Sequence, residues 1–294
     1  MPNSSFTLST PHGLISISST STDPDPGLPT LLLLHGNSSS SKIWRHIQDS
    51  PRITSRWRVV AFDLPGHGAS SNAPDPELSY SMRGYAELAV HILKHLGVGR
   101  VVVLGWSLGG HVGIEMLGLL REGSVGGEGG EARGLEMKGL MIVGTPPALG
   151  REQVNRGFQF EDPHMGLPGR KDWTEEETVD FARTSAGEPF EAWMADCARR
   201  TDGRARLLMF RKFAEGVGVD QRAVVEGERG VVVAVVNGGA EPYINLDYLD
   251  EIKWGNLWRG ECVRMDGLKH APFWERPGDF EKVLVEFLGD CEGL

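Results

Sequence analysis

Cysteine is scarce in this chain: Cys197, Cys262 and Cys291 are the three in 294 residues, with no C-x-x-C spacing. So few and so scattered, they exclude a disulfide framework and a thiolate metal cluster, and they suit a reducing compartment, so a cytoplasmic protein is expected. Long apolar runs are missing as well. The longest strongly apolar stretch, Leu31 to Leu34, is far short of the ~20 residues that span a bilayer. Met1 to Gly13 carries neither the basic patch nor the apolar core of a secretory signal. Positive charge is in deficit, with 30 Lys and Arg against 40 Asp and Glu, a net of -10. Such a surface repels phosphate backbones, so no nucleic-acid partner is expected. The motifs G-x-G-x-x-G, G-x-x-x-x-G-K-S/T and H-E-x-x-H are absent, and neither cofactor nor metal is implied.

What is plentiful is glycine, at 39 residues nearly twice the ~7% of an average chain. The glycines punctuate an alternation of short apolar runs and helical periodicity, the pattern of a parallel sheet with crossover helices. Thr30 to Leu34, Arg58 to Phe62, Val101 to Leu104, Leu140 to Val143 and Val231 to Val236 read as strands buried on both faces. Phe6 to Ser9 and Leu14 to Ser18, around His12-Gly13, read as an antiparallel hairpin at the sheet edge. Ser81 to Leu96 is an amphipathic helix stopped by Gly97. Its His91 and His95 stand at i, i+4, but on the polar face without a third ligand, and are expected to be solvated.

Two segments break the alternation. Glu122 to Gly134 is a Gly/Glu tract with almost nothing to bury, expected as a mobile surface loop. From 150 to 217 the chain is helical without a buried strand, and it carries eight aromatic residues: Phe158, Phe160, Trp173, Phe181, Phe190, Trp193, Phe210 and Phe213. That is more than so small a segment can bury, so it reads as a lid over a pocket, with a minority of the rings facing substrate. The expected organisation is a core in two parts, 1–149 and 218–294, interrupted by a helical lid at 150–217.

The chemistry starts at Gly105-Trp106-Ser107-Leu108-Gly109, directly after a strand and before a helix beginning near His111. A G-x-S-x-G in that setting makes a sharp strand-to-helix turn that lifts the serine hydroxyl out of the sheet. Small neighbours allow the strained backbone this needs. A serine needs a base to take its proton. Of nine histidines, His35 and His67 lie in glycine turns, His111 follows Ser107 on its own helix and is read as pointing away, and His12, His46 and His164 are read as loop residues. His270 remains, after the last strand (Cys262 to Met265) and before the final helix (Pro277 to Leu288), in the chain order nucleophile, acid, base. The acid that fixes its tautomer is expected at Glu241, just past Val231 to Val236, with Asp247, Asp250 and Asp266 as rivals. The position after the previous strand reads Gly144-Thr145-Pro146-Pro147 and offers no acid. Two backbone N–H groups, of Leu108 and of Asn37 in His35-Gly36-Asn37-Ser38, are the expected oxyanion hole. The Asn37 side chain, Trp106, Phe158 and Phe181 are expected to touch substrate.

With these residues in hand the chain resembles the α/β-hydrolases, and within them it is most similar to the N-acyl-homoserine lactonases of that fold. The resemblance runs through HGNSSS (35–40), WRVVAFDLPGHG (57–68), YSMRGYA (80–86), GWSLGGHVGIEM (105–116), GTPP (144–147), RTDGRAR (200–206), GNLW (255–258) and HAPF (270–273). It implies a mostly parallel central sheet with helices on both faces and a helical lid. It also implies a triad of Ser107, Glu241 and His270, an oxyanion hole of Asn37 and Leu108, and opening of an acyl lactone through an acyl-enzyme. In three places the chain departs from the family: the Glu122 to Gly134 tract reads as an insertion, Lys269 replaces the glycine before the histidine, and Phe181 stands where the similar lactonase carries a tyrosine. A carboxylesterase, or a lactonase for another small hydrophobic ester, keeps the same chemistry. A non-catalytic ligand receptor is the alternative of another class. The expected partner is a small hydrophobic ester or lactone.

Overall fold

The computed structural model describes residues 4–21, 27–123 and 134–293. Its strands are β1 (Ser4–Thr10), β2 (Gly13–Ser19), β3 (Thr30–Leu34), β4 (Arg58–Phe62), β5 (Arg100–Trp106), β6 (Glu136–Val143), β7 (Val232–Gly238) and β8 (Val263–Met265). They form one sheet in the order β1-β2-β4-β3-β5-β6-β7-β8. β1 and β2 form an antiparallel hairpin that turns at Gly13 with φ 116, and β2 pairs antiparallel with β4; β3 through β8 are mutually parallel.

The apolar runs form strands because helices cover both sides. Successive residues of β3 point to opposite faces: Leu32 and Leu34 join one core, Leu31 and Leu33 the other. Helices α1 (Met82–His95) and α2 (Leu108–Glu122) close the first face, and α8 (Pro277–Glu292) closes the second with Phe280, Leu284 and Phe287. Each Leu or Phe so buried contributes about 1.5–3 kcal/mol. Ser81 caps α1 by accepting from the Gly84 N–H at 2.9 Å, and Gly97 leaves it at φ 69. His91 and His95 are exposed, as their place on the polar face requires.

β6 begins at Glu136 rather than Leu140. Lys138-Gly139 interrupts its apolar run, and Gly139 is there for packing: a Cβ would strike Cys291 and Phe287 of α8. Between β6 and β7 come α3 (Gly150–Gly157), α4 (Glu175–Ala186), α5 (Ala192–Arg200), α6 (Gly203–Glu215) and α7 (Gln221–Gly227). The helical stretch therefore runs past 217, but α7 packs on α2: Val219, just ahead of it, packs at Gly118, and Gln221 bonds His111. The Gly/Glu tract lies, from 124 to 133, outside the described residues. No helix among the described residues is long and apolar enough to cross a membrane.

Candidate active site

Ser107 stands between β5 and α2 with φ 55 and ψ -117, a backbone that L-residues rarely adopt. The glycines around it are obligatory. A Cβ at Gly105 would strike the Gly109 carbonyl, one at Gly109 the Leu34 carbonyl, and one at Gly110 the Thr145 side chain. The strain is held from below by the Ser107 N–H donating to the Val143 carbonyl at 2.8 Å and by Thr145 Oγ1 donating to the Ser107 carbonyl at 2.9 Å. Leu108 is the first residue of α2, where a backbone N–H has no partner inside the helix.

His270 and Glu241 meet from two loops at the ends of β8 and β7. Nδ1 lies 2.9 Å from Oε1 and 2.8 Å from Oε2 of a carboxylate whose side chain is fully buried. A carboxylate only accepts, so Nδ1 carries the proton and Nε2 is left as the basic nitrogen. The Tyr243 N–H donates to Glu241 Oε1 at 2.9 Å, and Trp106 Nε1–H donates to the His270 carbonyl at 2.9 Å. The two loops are laced together by Gly239 N–H to Met265 O and Ala240 N–H to Leu268 O, both 2.8 Å. Gly238 and Gly144 give the room: a Cβ at the first would strike the Leu268 and Lys269 carbonyls, at the second the His270 imidazole. Of the rival acids, Asp250 pairs with Arg264 at 2.5 Å and Asp247 is 90% exposed. Lys269 is held through its backbone, its N–H donating to Glu275 Oε1 at 3.0 Å. Burial pushes the Glu275 carboxyl above its ordinary range, against these backbone donors.

After β3, His35 Nδ1–H donates to the Gly36 carbonyl at 2.8 Å, while Nε2 accepts from the Leu64 N–H at 3.0 Å. That fixes a neutral imidazole, in keeping with a pKa lowered by burial. A Cβ at Gly36 would meet the Trp106 ring at 2.9 Å, so only glycine lets this turn pass so close to Trp106. Asn37 follows; its Nδ2 donates to the Pro168 carbonyl at 3.3 Å, tying the turn to the helical segment. The RTDGRAR stretch makes further ties: Asp202 accepts from the Tyr80 hydroxyl at 2.8 Å, Arg200 donates to the Ser70 carbonyl at 2.5 Å, and buried Arg206 reaches Ser38 Oγ at 3.4 Å.

One pocket receives Ser107, His270, Asn37, Leu108, Trp106, Phe158 and Phe181 together. Glu241 stands behind His270. Sequence reasoning missed several of the other lining residues. Phe210 and Phe213 line it too, so four of the eight aromatics reach the pocket, where a minority was expected; Trp173, Phe190 and Trp193 pack on the other core and Phe160 is exposed. His111, read as pointing away, is a buried pocket residue whose Nδ1–H donates to Gln221 Oε1 at 2.7 Å. Its apparent direction came from its place on the helix, which ignores that α2 runs under the aromatic wall. Burial lowers its pKa to about 4, and it is neutral. His46 and His164, read as loop residues, stand in short helical turns, Arg45–Gln48 and Pro163–Gly166. Met165, Met209, Ser185, Tyr243 and Ile244 complete much of the lining; no local motif marks them. Among the described residues no group of three or more His, Cys, Asp or Glu could hold a metal.

A family model described as the alpha/beta hydrolase family matches residues 31–283. Among solved structures, the N-acyl homoserine lactonase AidH with N-butanoyl homoserine is 43% identical, covers 99% of this chain and 98% of its own, and superposes with a TM-score of 0.88. A mutant of AidH with N-hexanoyl homoserine gives 43%, 100%, 98% and 0.89. A pimeloyl-[acyl-carrier protein] methyl ester esterase from Photorhabdus laumondii is 27% identical over 282 residues, 90% of this chain and 93% of that protein. An uncharacterised Mycobacterium tuberculosis protein is 36% identical over 87 residues, 30% of this chain; the match spans 24% of that relative's length.

Proposed function

Since the chain belongs to the α/β-hydrolase family, we propose that it opens the lactone ring of N-acyl homoserine lactones through an acyl-enzyme on Ser107. Ser107 Oγ attacks the ring carbonyl while His270 Nε2 takes its proton, and Glu241 holds the tautomer and stabilises the imidazolium. The N–H groups of Leu108 and Asn37 receive the oxyanion; losing one such donor typically costs about 10²–10³ in rate. His270 then protonates the departing ring oxygen, which stays tethered as a hydroxyl. Water activated by the same histidine releases the N-acyl homoserine.

The acyl chain lies against Trp106, Phe158 and Phe213, under residues 150–217 acting as a lid. No metal or cofactor enters these steps, and the partner is the small ester alone. The three cysteines are free thiols, which supports work in the cytoplasm.

The observation that carries this reading is the 43% identity over essentially the whole chain to AidH, whose solved complexes include N-hexanoyl homoserine lactone itself. The test is hydrolysis of N-butanoyl and N-hexanoyl homoserine lactone followed by mass spectrometry, with Ser107→Ala alongside. Ring opening by the wild type and a fall in kcat of about 10⁴–10⁶ in the variant are expected; near-normal turnover by Ser107→Ala would sink the covalent route. The likeness to a pimeloyl-[acyl-carrier protein] methyl ester esterase over 90% of the chain favours a second reading as an esterase for a linear ester. Intact lactones together with cleaved p-nitrophenyl butyrate would select it.

A further inference from the structure

Two hydroxyls in the pocket have no hydrogen-bond partner within the protein: Oη of Tyr243 and Oγ of Ser185, both buried. They come from two elements, Ser185 from the last turn of α4 and Tyr243 from the loop after β7. The Ser185 and Thr184 hydroxyls adjoin the Tyr243 phenol without meeting it in hydrogen-bond geometry, and Thr184 donates to the Asp180 carbonyl at 2.8 Å. The Tyr243 ring stands edge-on to the His270 imidazole at 5.0 Å, so this polar spot lies beside the proposed base. Its position is fixed by the Gln159 N–H, which donates to the Tyr243 carbonyl at 2.8 Å.

Buried hydroxyls are almost always paired, and an orphan is a standing penalty that a bound group can relieve. Two at one spot, in a wall otherwise made of Phe158, Phe181, Phe213, Met165 and Ile244, mark a place where a polar piece of ligand belongs. Burial holds the phenol well above its ordinary pKa, so it stays protonated and donates; a serine hydroxyl can donate too. Two donors side by side match a single carbonyl oxygen, which accepts through two lone pairs.

We propose that Tyr243 and Ser185 form a subsite for the amide carbonyl of an N-acylated substrate, both hydroxyls donating to its oxygen. The proposal deepens the ester-hydrolase reading above and rests on it. It also supplies a hydroxyl to a pocket in which Phe181 brings none. A simple acyl ester leaves both hydroxyls unpaired, and sites of this kind discriminate against substrates that lack the bonding group.

The test compares Tyr243→Phe and Ser185→Ala with wild type on two matched pairs. One pair is N-butanoyl homoserine lactone against an α-pentyl-γ-butyrolactone; the other is the p-nitrophenyl ester of N-butanoylglycine against p-nitrophenyl heptanoate. Wild type is expected to favour the amide member in kcat/KM, and each variant to cut that preference by about tenfold, chiefly through KM. Melting temperatures should not fall, because an unpartnered hydroxyl stabilises nothing. An amide preference that survives both substitutions overturns the proposal. So does an equal loss on both members with a lowered melting temperature, which would make the pair structural. If the lactones stay closed while the linear pair shows the amide preference and its loss, the lactone reading fails and the amide subsite stands.

Discussion

The pocket has two walls of different making. The sheet-derived wall carries Ser107, His270 and Glu241 on backbone turns that only glycine permits, at 105, 109, 144 and 238. The opposite wall, from α3 to α6, reaches the pocket with the ends of side chains: Phe158, Met165, Phe181, Met209, Phe210 and Phe213. Proton transfer needs atoms held within a few tenths of an ångström, so the first wall is built from fixed backbone and close contacts. Holding an acyl chain needs area and adaptable shape, which Phe and Met supply. Breaking either wall should therefore leave different signatures in the kinetics.

The largest effect belongs to the charge behind the base. Glu241→Gln keeps the shape of the carboxylate but lets its amide donate to Nδ1, which puts the imidazole proton on Nε2, where it cannot accept from Ser107. We expect kcat to fall by about 10³–10⁴ with KM within about threefold, as steady-state rates on a cleavable ester will report. A drop confined to KM would contradict the role given to Glu241.

Next comes the backbone that makes room for the base. Gly144→Ala adds a methyl against Cε1 and Nδ1 of the His270 imidazole at a residue whose φ is +60. We expect about 10² off kcat as the ring is displaced, and a loss of about 1–2 kcal/mol in stability from the strained backbone, read by urea unfolding. On the other wall the signature reverses. Phe213→Ala, beside Phe158 at 6.3 Å in a T-shaped contact, should lower kcat/KM for a decanoyl substrate about tenfold or more while a butanoyl substrate changes about twofold. Equal losses across chain lengths would mean that this ring shapes the reacting centre instead of the chain site.

The same division explains what could be read from the sequence. Ser107, His270 and Glu241 were legible because their turns need specific residues in a specific chain order, and the strands Thr30–Leu34 and Arg58–Phe62 because burial on both faces leaves an unbroken apolar run. β6 was read short because Gly139, chosen for contact with α8, interrupts its run. His111, Tyr243 and Ser185 were invisible as pocket residues: nothing local distinguishes a buried core residue from one that faces a cavity. Their exposure to the pocket is decided by how α3 to α6 fold back over the sheet, which is tertiary information.

The smallest predicted effect concerns what holds the second wall closed. His164 sits between two carboxylates, Nδ1 at 2.7 Å from Asp162 and Nε2 at 2.6 Å from Asp180 of α4. Both partners only accept, so both bonds at once require the imidazolium. Burial opposes the charge, but the hydrogen bonds to Asp180 and Asp162 outweigh it and raise the pKa above the ordinary histidine value. A base with a raised folded-state pKa contributes stability that is full below its unfolded value, about 6.5, and is lost as pH climbs through the folded value. The clip joins the turn bearing Met165 to the helix bearing Phe181, so its release loosens the chain-binding wall and leaves the Ser107 side untouched. His164→Asn should lower the melting temperature by about 2 °C at pH 6, a modest amount because the pair is partly exposed. The difference from wild type should close by pH 9, and 0.5 M salt should shrink it at pH 6. A gap that stayed constant from pH 6 to 9 would show that the histidine acts by packing alone and that the wall is not held by charge.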